Sequence, residues 1–270
     1  MRQYIAQKNL DSQGLLTIIG KDYRYLHNVL RLLAGDMIYV RLPSGELAPM
    51  TVCKIDEPAK KIILQVCNLS ENGEKALSED EIFEKGENLP SFRGETEFFL
   101  FMAVPKSAKF DQIVRQATEC GISRIIPVQT EFSQKGSEKM NFRSERFERI
   151  IKEARQQSGS PVDTVISECM NLKSACEFWE SEIQNLKEEE KLAVVLYERN
   201  DETVTVREAC EKKQNLKKLA LFCGSEGGLS PEEVKKLCGA GFKAVHLKTN
   251  ILRCETAALY GISALQSILF

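Results

Sequence analysis

No stretch of this 270-residue chain approaches the ~20 consecutive apolar residues that cross a bilayer, and its opening MRQYIAQKNLDSQG has no apolar centre of the secretory type. Neither a membrane partner nor export is expected, and the expected compartment is the cytoplasm. The nine cysteines are odd in number, contain no CxxC pair, and include Cys53, Cys67, Cys120 and Cys223 within apolar strands or helices. Reduced core thiols fit that pattern better than a disulfide framework or a zinc site, so no metal is expected. There is also no GxGxxG after a strand and no GxxxxGK followed by Ser or Thr, which disfavours a dinucleotide fold and a P-loop. A net charge of -2 argues against indiscriminate binding to nucleic acid.

What is present is an ordinary globular composition, 43% hydrophobic and 28% charged, with charge unevenly placed. Residues 1–70 carry nine Lys and Arg against six Asp and Glu, whereas residues 71–97 carry three against nine. The first segment alternates short apolar runs with turns: 4–6, 15–19, 37–42, a Pro43-Ser44-Gly45 turn, 46–55 and 61–68. Strands of that length and spacing predict a small β-barrel. One helix interrupts them, capped by Asp22 and running to about Leu33, with Leu26, Val29, Leu30 and Leu33 inward. Arg24, His27, Asn28 and Arg31 then fall on one face. Such a face of donors suits phosphate oxygens, and it equally describes a solvated surface. The acidic, Gly- and Pro-containing stretch 71–97 reads as a linker with a helical turn near 79–83.

From Phe98 onward strands and helices alternate: strand 98–104, helix 110–120 stopped by Gly121, strand 124–128, helix 143–157 with Phe147, Ile150, Ile151 and Ala154 inward, helix 174–189, strand 192–197 and helix 206–213. This is the pattern of an α/β domain, 98–270, on a mainly parallel sheet. Trp179 is expected to pack in the core, and His246, among apolar neighbours, to be a satisfied structural histidine.

The stretch 218–265 organises the rest. A strand at 219–223 ends in Gly224, Ser225, Glu226, Gly227 and Gly228; three glycines in five residues remove the Cβ atoms that would hold a ligand off the backbone. They also suit a turn with no ligand. A helix follows, with Ser230 as cap, Pro231 at its first position, Glu233 completing a capping box, and Gly239 or Gly241 at its end. A second strand, 243–247, leads through a loop at 248–253 into a helix near Glu255. Two strand-end loops that run into helices belong side by side at one edge of a parallel sheet, where such sheets bind ligands.

GSEGGLSPEE followed about twenty residues later by ILRCETAAL resembles the last two motifs of the RsmE family, SPOUT-fold methyltransferases of uridine N3 in small-subunit ribosomal RNA. LHNVLRLLAGDMIYV, KFDQIVRQATECGISRIIPVQTEFS and EARQQSGS resemble the family's other blocks in the same order, so nearly the whole chain is covered. The resemblance implies a C-terminal SPOUT-type, trefoil-knotted parallel-sheet domain, which pattern reasoning alone would not propose because knots are so rare. It also implies a small N-terminal PUA-like RNA-binding barrel, S-adenosylmethionine (SAM) as cofactor, 16S ribosomal RNA or the assembled small subunit as partner, and a homodimer.

Uridine N3 carries a proton, so methylation needs a group that accepts it or stabilises the anion. The resemblance places SAM against Leu196, Gly224, Gly227, Gly228, Leu247, Asn250, Ile251 and Leu252. Arg253 is the candidate for holding the uracil oxyanion, and Glu226 and Glu255 are the candidate carboxylates, although Glu255 equally suits a helix start. Arg2, Arg24, His27, Arg31, Lys106 and Lys109 are candidate RNA contacts. The chain departs from the family pattern at Ser225 for Pro, Lys248 for Gly, Thr249-Asn250 for Pro-Arg, Cys254 for Thr, Thr130-Glu131-Phe132-Ser133 for TERS, and Ser160 for Arg. These departures leave an RNA-binding relative without catalysis as the alternative.

Overall fold

The computed structural model describes residues 3–67, 96–136, 140–198, 203–211, 213 and 215–270. It divides into two compact units, 1–91 with 156–159 and 92–155 with 160–270. Most of the expected linker, its helical turn at 79–83, Asn68 and Arg2 lie outside the described residues.

In the N-terminal unit, β1 (Gln3–Ile5), β2 (Leu15–Ile19), β3 (Met37–Arg41), β4 (Leu47–Asp56) and β5 (Lys61–Val66) form one sheet in the order β1-β3-β4-β5-β2. Only β1 and β3 run parallel. The sheet curls into a half-barrel. Along β2, Leu16 and Ile18 point inward while Thr17 and Ile19 are exposed, the two-residue period of a sheet with one wet face. Val40, Met50, Ile62 and Leu64 fill the core.

The helix of this unit differs from expectation. It begins at Gly20 as α1 (Gly20–Arg24) with Ile19 at the cap position, so Asp22 lies inside its first turn, where the carboxylate accepts the Tyr4 hydroxyl at 2.8 Å. Burial first, and this bond second, push the Tyr4 phenol well above its ordinary pKa. The chain then widens into a π-helical turn, Tyr25–Val29. Leu26 is buried, but Val29 and Leu33, both expected inward, are each 67% exposed. Arg31 lies past the turn in left-handed backbone with φ 55°, off the face it was expected to share with Arg24. Nor is that face made of donors alone. Nε2 of His27 is 3.7 Å from the Glu57 carboxylate, its Nδ1 is 2.9 Å from Oδ1 of Asn28, and its ring stacks on Tyr23.

In the C-terminal unit the strands are β6 (Glu97–Ala103), β7 (Arg124–Gln129), β8 (Val165–Ile166), β9 (Met170–Asn171), β10 (Lys191–Leu196), β11 (Val204–Thr205), β12 (Lys218–Cys223) and β13 (Lys243–His246). The helices are α2 (Ser107–Glu119), α3 (Glu145–Ser158), α4 (Leu172–Ile183), α5 (Val206–Cys210), α6 (Pro231–Gly239) and α7 (Cys254–Leu269). All strands are parallel, ordered β11-β13-β10-β12-β6-β7-β8, with β9 also on β7. The two-residue β8, β9 and β11 are too short to carry a sequence pattern.

After their charged first residues, Glu97, Lys191 and Lys218, strands β6, β10 and β12 are apolar because both sheet faces are covered. Phe98, Leu100 and Met102 enter one core with residues of α2, α3, α5 and α7; Phe99, Phe101 and Ala103 enter the other with residues of α4 and α6. Trp179 lies in this second core, 1% exposed and edge-on to Phe99 and Phe101 at 5.9 and 6.3 Å, as expected of a packing residue. The helix bearing it starts earlier than its apolar period indicates, because the Asn171 side chain caps it by accepting the Ser174 N–H at 2.9 Å. It ends at Ile183, and residues 188–190 form a separate 3-10 turn. The helix expected over 206–213 stops at Cys210.

Candidate active site

Parallel pairing of Leu196 with Val245 and of Val195 with Phe222 brings the carboxyl ends of β10, β12 and β13 level. Their following segments enclose a cavity of about 660 Å³. Its walls are 196–198 after β10, the glycine loop 224–228 after β12, and 247–254 after β13, closed by Lys109 of α2 and Ala257 of α7.

The glycine loop is tight enough to require glycine at two positions for different reasons. A Cβ on Gly224 would lie 2.7 Å from the carbonyl carbon of Gly228. Gly228 has φ +73°, which L side chains rarely adopt, although a Cβ there would meet only the Glu198 carboxylate at ordinary contact distance, 3.8 Å. The loop is pinned from outside as well. Ser225 donates its hydroxyl to the backbone oxygen of Phe132 at 2.7 Å, and a Cβ on Gly227 would meet the Phe132 Cβ at 2.7 Å. Past the loop, Pro231 opens α6 and the Ser230 N–H donates to Glu233 Oε2 at 3.0 Å, the Glu half of the expected capping box. The other Glu233 oxygen accepts the Glu131 N–H at 2.7 Å, tying segment 130–134 to the same helix start.

One charged cluster closes the cavity wall. Nζ of Lys109 lies 3.5 Å from Glu226 and 3.3 Å from Glu255, so one ammonium faces two carboxylates. Burial raises the Glu255 carboxyl, but its own backbone N–H, the Cys254 thiol at 3.3 Å and Lys109 outweigh burial and hold it below the ordinary carboxylate range. For Lys109, desolvation lowers the pKa and the bond to Glu255, with the neighbouring negative charges, more than offsets it, leaving the value above the ordinary one. Burial, with the bond to Glu255 second, pushes the Cys254 thiol up to about 12. This thiol stays protonated and is no nucleophile.

The cavity brings together Leu196, Gly224, Gly227, Gly228, Leu247, Asn250, Ile251 and Leu252, all eight expected cofactor contacts. Of the candidate catalytic residues, Glu226 and Arg253 line it, while Glu255 stands behind Lys109 and does not. Arg253 is exposed and, among the described residues, has no ion-pair partner. Lys109, a candidate RNA contact, pairs with two carboxylates, because α2 packs on α7 and brings the two helix starts together. Lys106 is exposed, with its backbone N–H 3.3 Å from Glu226 Oε1. His246 is satisfied by Thr203 at 2.9 Å, as expected, and also lines the cavity. Tyr197, Glu198, Lys248 and Thr249 line it too. Sequence reasoning missed Tyr197 and Glu198, whose only signal was their place just past a strand end. Among the described residues no helix is long and apolar enough to cross a membrane, and no group of three His, Cys, Asp or Glu side chains is placed to hold a metal.

A family model described as an RNA methyltransferase domain matches residues 93–266. The chain belongs to that family. Its RsmE character is borne out by relatives that share nearly the whole length. The Ribosomal RNA small subunit methyltransferase E of Bacillus subtilis is 26% identical over 97% of this chain and 93% of its own, and that of Aquifex aeolicus 27% identical over 86% and 95%. A crystal structure of a Ribosomal RNA small subunit methyltransferase E from Neisseria gonorrhoeae bound to S-adenosyl methionine superposes with a TM-score of 0.73 at 19% identity, covering 100% of this chain and 98% of that one. The fold is therefore the SPOUT type that the RsmE resemblance implied.

Proposed function

We propose that this chain is a SAM-dependent methyltransferase that methylates N3 of one uridine in 16S ribosomal RNA, working in the cytoplasm as a homodimer. The observation that carries the reading is the cradle at the end of β12, where a Cβ at Gly224 would strike backbone and where three strand-end loops enclose a cavity of about 660 Å³. Leu196, Gly224, Gly227, Gly228, Leu247 and Leu252 would hold the cofactor by backbone and apolar contact. SAM supplies an electrophilic methyl on a sulfonium, so the protein's work is to position the nucleophile and manage its proton.

Glu226 is assigned the proton from uridine N3, since it is the cluster carboxylate that opens on the cavity. Glu255 is held ionised behind Lys109 and serves to position it; Lys109 in turn aims Glu226. Negative charge left on the uracil oxygens falls to Arg253, which adjoins the positive end of α7. The N-terminal half-barrel, with Arg24 and Arg31 exposed, is assigned to holding RNA outside the cavity. Calorimetry tests the reading against an RNA-binding module without catalysis: saturable heat with SAM, and none with ATP or NAD, is expected. No heat with SAM at millimolar concentration rejects the enzyme and leaves the binding module.

A further inference from the structure

A residue that this function does not absorb is Phe132, which packs against Gly227 of the glycine loop without itself lining the cavity and whose large aromatic side chain is left 44% exposed. A single exposed apolar residue is ordinary on a protein surface. This one, however, sits on a loop fixed at every step. Glu131 donates its N–H to Glu233, Phe132 accepts the Ser225 hydroxyl, Thr130 and Ser133 bond each other, and Gln134 N–H donates to the Val104 oxygen at 3.0 Å. Its inner side rests where Gly227 lacks a Cβ, with the Phe132 Cγ 3.0 Å from that empty position. The ring is therefore held beside the glycine loop that lines the cavity, with its outer part open to solvent.

Resting on the methyltransferase reading, we propose that Phe132 is a stacking platform for an unpaired uracil of the RNA substrate. To reach a cavity in the protein a base must leave its stack, and exposed aromatic rings are the usual replacement partner for an unstacked base. Stacking on Phe132 would fix the plane of a base beside the glycine loop, next to Gly227 and one residue from Glu226, both of which line the cavity, and the proton to be removed lies in that plane. The surroundings fit a nucleotide: exposed Lys106 and Lys135 lie two and one residues from Val104 and Gln134, which a backbone bond joins, so this side of the loop carries positive charge suited to phosphates. Phenylalanine stands here where the resemblance has the arginine of TERS, so this position offers an aromatic ring and no charge, and binding at this point should depend little on salt.

The test uses a short RNA carrying one uracil on otherwise abasic sugars, and its fully abasic counterpart. In the parent the uracil should tighten binding, and Phe132→Ala should remove that gain, about 5- to 150-fold for a base on an aromatic ring, without weakening the abasic RNA. Phe132→Leu should lose the gain as Ala does, and Phe132→Trp should retain it and show fluorescence quenched by the uracil RNA alone, the other tryptophan, Trp179, being buried. SAM calorimetry on each variant reports the intact fold. Equal loss on both RNAs, an untouched uracil gain, or dissociation of an oligomer on Phe132→Ala overturns the proposal; the last outcome would make Phe132 a contact with a second copy of the chain. Failure of the underlying reading appears separately, as absence of SAM binding in the parent.

Discussion

The helices that begin at Pro231 and at Gly20 each follow a strand, and each has an acidic side chain placed to stabilise its start. In the first, Glu233 is buried and bound on one oxygen by Ser230 N–H and on the other by Glu131 N–H, so the glycine loop before it is held from two sides. In the second, the Asp22 carboxylate is drawn off by Tyr4, 18 residues away in sequence, and the helix gives way to a π-turn within a few residues. Glu233 divides its two oxygens between the local cap and a distant strand-end loop, whereas Asp22 sits inside its helix and gives an oxygen to Tyr4. The C-terminal unit consequently aims its loops at one cavity, whereas the N-terminal unit presents dispersed cations.

That difference predicts unequal sensitivity. The largest effect belongs to Gly224→Val, whose side chain has backbone in its way: SAM binding should be abolished in calorimetry while circular dichroism keeps its parent form. Gly228→Val should also lose SAM binding, through backbone strain rather than collision, and normal affinity there would make the turn only a turn.

Arg253→Ala should lower the methylation rate roughly a hundredfold, about 2.7 kcal/mol of barrier, with SAM affinity little changed. Lysine should rescue it partly, since it keeps the charge and loses the planar fork. A mutant that loses SAM affinity and keeps its rate at saturating SAM would move Arg253 to the cofactor.

In the other unit the expected effect is smaller. Replacing Arg24 by Ala should flatten the slope of log affinity against log salt by ~0.7 on single-stranded RNA or ~0.9 on duplex, with SAM binding unaffected. Because Arg31 lies off the helical face, its replacement should act independently of Arg24; strong coupling between the two would restore the continuous stripe.

The smallest effect concerns the Lys109 cluster and pH. Glu255 is depressed below its ordinary 4.5, so its contribution to stability is present above that value and is lost as pH falls through the folded pKa. Lys109 is raised above its ordinary 10.5, so its contribution is present below that value and is lost as pH rises through the folded pKa. Lys109→Gln should therefore lower the melting temperature by a constant amount across neutral pH, with the gap to the parent closing at both extremes. A gap that does not vary with pH would show that Lys109 acts by packing.

Much of the cavity was legible because its determinants are local. Three glycines after an apolar strand, a Ser-Pro-x-Glu helix start and a second strand-end loop each carry their reason within a few residues, and the family motif order tied them together. The Lys109 bridge was not legible, because it depends on α2 crossing α7, and no spacing within 107–119 reports what lies across that crossing. Phe132 was visible only as a departure from TERS; the contacts with Ser225 and Gly227 that give it a fixed place lie 93 and 95 residues away. In the half-barrel, a stripe projected at 3.6 residues per turn failed at Tyr25–Val29 because a π-turn changes the period.

The most direct test of the account is transfer of labelled methyl from SAM to small ribosomal subunits, or their 16S RNA, isolated from cells lacking this protein, followed by digestion to nucleosides. The account predicts label at a single uridine as 3-methyluridine, none with Gly224→Val, and a strongly reduced rate with Arg253→Ala. Absence of label with the parent protein, or label on any nucleoside other than uridine, would contradict it.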